Sequence, residues 1–168
     1  VTLSNLAQVH IYQGNWDQAR ESLTRSQEIF TEIGSEDFLS ELERRWAELF
    51  LKCGDPDQAL NHIKISIDLA NEQDANLELG MSLRILGEIQ QERGEFKGAD
   101  GALNLSLEIL TGLKSDYQAA KTMLSMVCLA VKKGITVDRE QLDQATQTFL
   151  KLDAKADLAQ ARLLEEEL

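Results

Sequence analysis

The chain has 168 residues, with 17 lysines and arginines against 29 aspartates and glutamates, a formal net charge of −12. This acidic balance argues against a nucleic-acid binder or a binder of anionic membranes, because phosphate contacts need a concentrated positive surface. Apolar residues make up 43% of the chain, enough for a packed core. No apolar run approaches the ~18 residues of a membrane-spanning helix, and a single proline predicts long, uninterrupted helices.

The predicted elements follow a repeat of 40 residues. Gly14, Gly54, Gly94 and Gly134 are separated by this step, and two further columns of small residues keep it. These columns follow the glycines by five and by twelve residues and consist of Ala19, Ala59 and Ala99, and of Ser26, Ser66 and Ser106. A fixed period of this length indicates a repeat architecture, in which each unit buries its core against its neighbours.

Each repeat is predicted to contain two helices that meet at the glycine. Apolar side chains recur at three- and four-residue steps on both sides of it, which places them on one face of an α-helix. Glycine adopts the left-handed conformation that ends a helix at a sharp turn. The next residue, Asn15 or Asp55, is expected to cap the following helix. The links between repeats, at 34–37, 71–75 and 112–116, are expected to be looser.

We expect a single domain over residues 1–168, with repeats at about 1–35, 36–75, 76–115 and 116–155 and a terminal helix at 156–168. In the fourth repeat the corner is lengthened, and its second helix is predicted to begin near Asp138. The apolar stripe of the terminal helix would cover the open end of the stack. Because the chain starts at Val1 within an apolar helical pattern, we expect a segment of a longer protein.

The residues around the glycines resemble the tetratricopeptide repeat family. The motif is present as Leu6-Ala7…Gly14-Asn15-Trp16-Asp17-Gln18-Ala19, as Trp46-Ala47…Gly54-Asp55-Pro56-Asp57-Gln58-Ala59, and as Leu83…Leu86-Gly87…Gly94-Glu95-Phe96-Lys97-Gly98-Ala99. The period of 40 is similar to that of a long-helix subgroup in bacterial multidomain regulators and kinesin-light-chain-like scaffolds. The resemblance implies an all-α fold, a right-handed α-solenoid of about four helix-turn-helix repeats with a C-terminal capping helix.

The resemblance also implies a protein–protein interaction module that binds a peptide or partner helix in its concave groove. It suggests the sensor or scaffold segment of a larger, cytoplasmic bacterial regulatory protein. The family's inward positions, carried onto this sequence, predict the partner-binding residues Gln8, Ile11, Tyr12, Arg44, Glu48, Leu51, Lys52, Arg84, Glu88, Gln91, Leu124, Cys128, Val131 and Lys132. Further inward positions are Ser4, Glu41, Met81, Glu92 and Lys121.

Two arginines on this predicted face have alternative roles. Arg44 and Arg84 occupy the same column one repeat apart and could grip the carboxylates of an acidic segment or a free C-terminus. They could equally pair with Glu48 and Glu88, each four residues further along the same helix. The sequence leaves both alternatives open.

Catalytic and metal-binding patterns are missing from the sequence. The two cysteines, Cys53 and Cys128, show no CxxC spacing, and reduced thiols in a cytoplasmic setting are expected. His10 and His62 form no catalytic grouping with serine, cysteine or aspartate, and the isolated glycines form no phosphate loop. We therefore expect neither enzymatic activity nor a metal or cofactor.

The alternative to ligand binding is a structural role. Val1, Leu3 and Leu6 present apolar side chains at the open end of the first repeat. An uncovered apolar face of this kind is typical of an interaction surface. A second copy stacked there would produce a homo-oligomer.

Overall fold

The computed structural model describes residues 3–168, so Val1 of the self-association hypothesis lies outside the described residues. The described part consists of α-helices joined by short turns and contains no strand. Its helices are α1 (Leu3–Tyr12), α2 (Trp16–Ile33), α3 (Leu39–Lys52), α4 (Pro56–Glu72), α5 (Asn76–Glu92), α6 (Phe96–Gly112), α7 (Asp116–Lys133), α8 (Arg139–Lys151) and α9 (Lys155–Glu167).

The helices form a curved stack of hairpins. Consecutive helices pack against each other, and the odd-numbered helices also pack in series, α1 on α3, α3 on α5, α5 on α7 and α7 on α9. Within residues 3–168 the even-numbered helices make no such contacts with one another. Because the odd-numbered layer is the more closely spaced, it forms the inner, concave side. The predicted all-α solenoid is confirmed.

All turns between consecutive helices in residues 3–168 close with the same backbone hydrogen bonds. At the α3–α4 turn the Gly54 N–H donates to the Leu51 carbonyl (3.1 Å) and the Asp55 N–H donates to the Phe50 carbonyl (2.9 Å). This pair of bonds is the Schellman motif, which requires one left-handed residue. That residue is glycine at positions 14, 34, 54, 94 and 134 and Asp74, Lys114 or Asp153 in the other turns.

The expectation of looser links between repeats is wrong for two of the three. Residues 73–75 and 113–115 form turns of three residues, as short as the turn at residues 53–55 within the second repeat. Only the α2–α3 link, residues 34–38, is longer. The glycine spacing did not reveal these turns, because Asp74 and Lys114 take the left-handed conformation that glycine takes elsewhere.

The predicted helix caps have different outcomes. The Asp55 side chain accepts a hydrogen bond from the Gln58 N–H (3.0 Å), and Asp138 caps α8, which begins at Arg139 as expected. Asn15 does not cap α2, since its side-chain amide instead donates to Gln13 Oε1 at 3.0 Å.

Buried small residues bring the helices of each hairpin close together. Ala47 packs with Ala59 and Ile63 in one core cluster, and Gly87 lies directly beneath the buried side chain of Leu103. An ideal Cβ at Gly87 would be 2.6 Å from Leu103 Cγ. These small residues therefore set the distance between paired helices.

Candidate concave binding groove

The inner helices enclose a cavity of about 560 Å³ on the concave face. Ile11, Ile85 and Leu124 are buried in its wall, whereas Tyr12 lies at its rim with 60% of its surface exposed. The predicted partner-binding residues that line it are Ile11, Tyr12, Glu48, Leu51, Lys52, Arg84, Glu88, Gln91, Leu124 and Cys128. The structure therefore brings ten of the fourteen predicted residues to one cavity.

The other four predicted residues lie outside the cavity lining. Gln8 is half-buried on α1, Val131 is exposed on α7, and Lys132 pairs with Glu92 at 2.8 Å. Arg44 is only 2% exposed.

Arg44 forms a buried ion-pair network rather than a free grip for a ligand. Its Nη1 is 2.9 Å from Glu48 Oε1, and its Nε pairs with Glu78 of the next repeat. Burial opposes the charge of Arg44, but the carboxylates of Glu48 and Glu78 outweigh burial and raise its pKa. Of the two alternatives for Arg44, the structure shows the pairing with carboxylates.

Glu48 is a half-buried carboxylate in a positive environment. Burial alone would raise its pKa, but Arg44, Arg45, Lys121 and Arg84 outweigh that effect and lower the pKa to about 2. Arg45 also reaches Glu48 directly, with Nη1 3.2 Å from Oε2. Glu48 is therefore ionised at neutral pH and neutralises the cations around it.

Arg84 lies on the cavity wall, and its shortest hydrogen bond is to a neutral side chain. Its Nη1 donates to Gln118 Oε1 at 2.8 Å, whereas the carboxylate of Glu88 is 3.9 Å from its Nε. Glu88 in turn accepts a hydrogen bond from Ser125 Oγ at 2.7 Å. The predicted pairing of Arg84 with Glu88 is thus loose.

Lys121 bridges the first and fourth repeats across the cavity. Its Nζ donates to the Tyr12 hydroxyl at 2.5 Å and lies 5.2 Å from the Tyr12 ring centroid and 5.8 Å from that of Tyr117. The nearest carboxylate oxygen, Asp157 Oδ1, is 3.8 Å away. Tyr117 donates its hydroxyl to Asp157 Oδ2 at 2.8 Å; burial and this carboxylate both raise the Tyr117 pKa.

Some lining residues were missed by sequence reasoning. Ile85 and Ser125 each line the cavity one residue after a predicted position. Asp157 and Gln160 come from α9, which the sequence assigned only to covering the end of the stack. Their spacing of three residues fits one helix face, but no local signal places that face in the groove.

Other kinds of site find little support in the described residues. Residues 3–168 hold no group of three histidine, cysteine or acidic side chains placed to bind a metal ion. None of the helices described combines the length and hydrophobicity that a membrane crossing requires. Cys53 and Cys128 are free thiols, and burial, followed by Glu88, raises the pKa of Cys128 to about 11.

A stack of helical hairpins around one concave surface defines an α-solenoid repeat protein. Residues 2–28 match the sequence model of the tetratricopeptide repeat family. The fold is similar to that of BtubC (BKLC) from P. vanneervenii, with a TM-score of 0.69 and 18% sequence identity over 98% of this chain and 76% of that chain. No curated protein matches the chain in sequence. The predicted resemblance to tetratricopeptide repeats is thereby confirmed, in sequence for the first hairpin and in fold along the chain.

Proposed function

We propose that the protein is an interaction module that holds a short acidic segment of a partner protein in the concave cavity. Tetratricopeptide repeats generally mediate protein–protein interactions. The cavity volume of about 560 Å³ falls within the roughly 300–1,000 Å³ of typical ligand pockets. A volume of this size suits a few side chains of an extended peptide better than a whole partner helix.

The preference for an acidic ligand rests on one observation: the cations of the cavity have weaker partners within the protein than its acids have. Lys52 has no ion pair within residues 3–168. Arg84 and Lys121 bond most closely to neutral partners, and their carboxylate neighbours are 3.9 and 3.8 Å away. Donors of this kind can still form charge-assisted hydrogen bonds with a ligand.

The acids of the same cavity, by contrast, are already bonded within the protein. Glu48 accepts from Arg44 at 2.9 Å, Glu92 pairs with Lys132 at 2.8 Å, and Asp157 accepts the Tyr117 hydroxyl at 2.8 Å. A basic ligand would have to compete with these partners. An acidic ligand would pair with Lys52 and would compete only with the neutral partners of Arg84 and Lys121.

Apolar side chains in the cavity would recognise an apolar side chain of the ligand. Ile11, Leu51 and Leu124 line the cavity together with the half-buried Cys128. A ligand with an apolar side chain between two carboxylates would bury that side chain here, at about 25 cal/mol per Å² removed from water.

The wider setting of the module is also part of the proposal. The long-helix resemblance supports a non-enzymatic sensor or scaffold segment within a larger bacterial regulatory protein of the cytoplasm. The repeat fold itself is typical of binding proteins rather than enzymes.

The acidic preference can be tested by display of random peptides on the purified protein. We expect enrichment of sequences with Asp or Glu on both sides of an apolar residue, and at least fivefold weaker binding of these peptides to the Lys52→Glu variant. The matched control is Lys64→Glu, an equal charge change at an exposed position of α4. Enrichment of basic peptides, or equal binding by both variants, would contradict the proposal.

A second candidate function is self-association through α1. Leu6 and Val9 are 39% and 48% exposed on this helix, which packs against α2 and α3 and has no other neighbouring helix within the described residues. Exposed neighbouring apolar side chains favour contact with a second copy. Sedimentation over a range of concentrations tests it: a monomer throughout excludes it, whereas a dimer that Val9→Glu dissociates and Ile65→Glu leaves intact supports it.

A further inference from the structure

A solenoid repeat normally contacts only its neighbours in the stack. Helices α1 and α7 follow this rule for their backbones, which are not packed against each other. Their side chains do not, because Lys121 Nζ reaches the Tyr12 hydroxyl at 2.5 Å across 109 positions of sequence. Both residues line the concave cavity, so the contact joins two parts of its wall.

The two halves of this contact are held very differently. Lys121 is fixed by its own repeat and the terminal helix, through the ring of Tyr117 and the carboxylate of Asp157. Tyr12 is 60% exposed, near the end of α1, and contacts Lys121 with its hydroxyl and its ring. Lys121 is therefore the fixed half of the contact, and Tyr12 is the half that can move away.

We propose that Tyr12 and Lys121 form a latch that closes the concave cavity, and that a carboxylate of the bound segment opens it by replacing the Tyr12 hydroxyl at Lys121. The release step rests on the proposed function, whereas the latch itself does not. A carboxylate is a stronger acceptor for an ammonium group than a neutral phenol. Release therefore exchanges a weaker hydrogen bond for a stronger one.

The repeat architecture lets this single contact restrain the width of the whole groove. Small rotations between successive repeats add along a solenoid and set the width of its groove. A bridge from the first hairpin to the fourth restrains the sum of these rotations. Once the bridge is released, each interface can relax slightly and the cavity widens.

Labelling of Cys128 by a thiol reagent measures this opening without any ligand. Cys128 lines the cavity and is half-buried, while the exposed Cys53 serves as an internal reference, and mass spectrometry separates the two sites. We expect Lys121→Met and Tyr12→Ala to label Cys128 about fivefold faster than the natural chain, the factor for losing about 1 kcal/mol. The double variant should be no faster than either single one, because both remove the same contact.

Two controls separate latch opening from other effects. Lys132→Met removes a cation from the same helix but leaves the latch. Leu103→Ala weakens a core cluster, formed with Ala99 and Leu129, that contains no residue of the latch. Neither should change Cys128 labelling at a temperature where all variants are folded. Loss of a nearby cation can only raise the thiol pKa and slow labelling, so acceleration in Lys121→Met reports access. Unchanged labelling in Lys121→Met and Tyr12→Ala overturns the latch.

The release step is tested with an acetylated peptide of sequence Asp-Glu-Leu-Asp-Glu. Tyr12→Phe removes the competing hydroxyl and is expected to bind it about threefold tighter, whereas Lys121→Met is expected to bind it more weakly. Equal affinities overturn the release step. Failure of every variant to bind the peptide contradicts the release step and the proposed function together, while Cys128 labelling still decides the latch.

Discussion

Ser66 Oγ lies 2.8 Å from Ser82 Oγ in a fully buried contact that joins the second hairpin to the third. The Ser66 hydroxyl also lies 2.8 Å from the carbonyl oxygen of Ser40, so one side chain links three helices. Ser106, one repeat later, contacts Thr122 in the same way at 3.0 Å. A buried polar seam at a 40-residue period therefore holds the stack in register.

Replacing Ser66 by alanine tests this seam. The change leaves the buried Ser82 hydroxyl without its partner at 2.8 Å, and leaving a buried polar group unsatisfied costs about 1–3 kcal/mol. We expect Ser66→Ala to lower the free energy of unfolding by that amount, as measured by urea denaturation followed by circular dichroism. Thr24→Ala, at an exposed position of α2, should change stability by less than about 0.5 kcal/mol. Equal effects would show that the seam contributes nothing.

Gly87→Ala is expected to destabilise the protein through overpacking. The added methyl group would lie 2.6 Å from Leu103 Cγ, so the fully buried Leu103 side chain would have to shift within the core. Inserting a methylene-sized group into a packed core costs typically about 1–3 kcal/mol. In Gly101→Ala nothing lies within 4 Å of the new methyl group, and helix propensity should stabilise the protein by up to about 1 kcal/mol. Thermal denaturation of both variants should therefore shift the midpoint in opposite directions.

Glu48 is expected to contribute to the acid sensitivity of the fold. Its pKa of about 2 lies below the ordinary value of 4.5, so its stabilising contribution is complete above pH 4.5 and is lost as the pH falls toward 2. Glu48→Gln should be less stable at pH 7, because the buried Arg44 loses a carboxylate partner. Its unfolding free energy should also fall less steeply than that of the natural chain between pH 4.5 and 2.

The control for this prediction is Glu28→Gln. Glu28 pairs with Arg25 at the surface, where an ion pair is worth about 0–1 kcal/mol. This variant should match the natural chain closely at pH 7. A Glu48→Gln variant with an unaltered pH profile would mean that the cations around the carboxylate do not stabilise the fold.

Lys114→Gly is expected to stabilise the α6–α7 turn. Lys114 occupies the left-handed region with φ 55°, which costs a residue with a Cβ atom about 1 kcal/mol. The greater freedom of glycine in the unfolded chain offsets part of the gain, so we expect about 0.5 kcal/mol. Gly94→Ala makes the reverse change at an equivalent turn, with φ 75°, and should destabilise by about 1 kcal/mol. A loss of stability in Lys114→Gly would contradict the argument.

The sequence alone predicted the helical hairpins, their 40-residue step and most of the cavity lining. The hairpins and their step depend on local physics, because helix periodicity sets the buried face and one left-handed residue sets each turn. The lining residues came from the resemblance to tetratricopeptide repeats, whose inward positions were carried onto this sequence. The turns at Asp74 and Lys114 escaped detection for a related reason: the Schellman hydrogen bonds hold a non-glycine residue in a conformation that its side chain disfavours.

Only the tertiary structure decided how the charges of the groove are used. Arg44 pairs with Glu78, which is 34 positions further along the chain and in a different repeat. This pairing depends on how the two helices are placed relative to each other, and the spacing of residues along one helix does not predict that placement. The contact of Tyr12 with Lys121 depends on curvature accumulated over three successive interfaces. Side-chain packing between hairpins sets the small angle between each pair of successive repeats. The contact between the first and fourth repeats therefore depends on the assembled stack and cannot be assigned to any single segment.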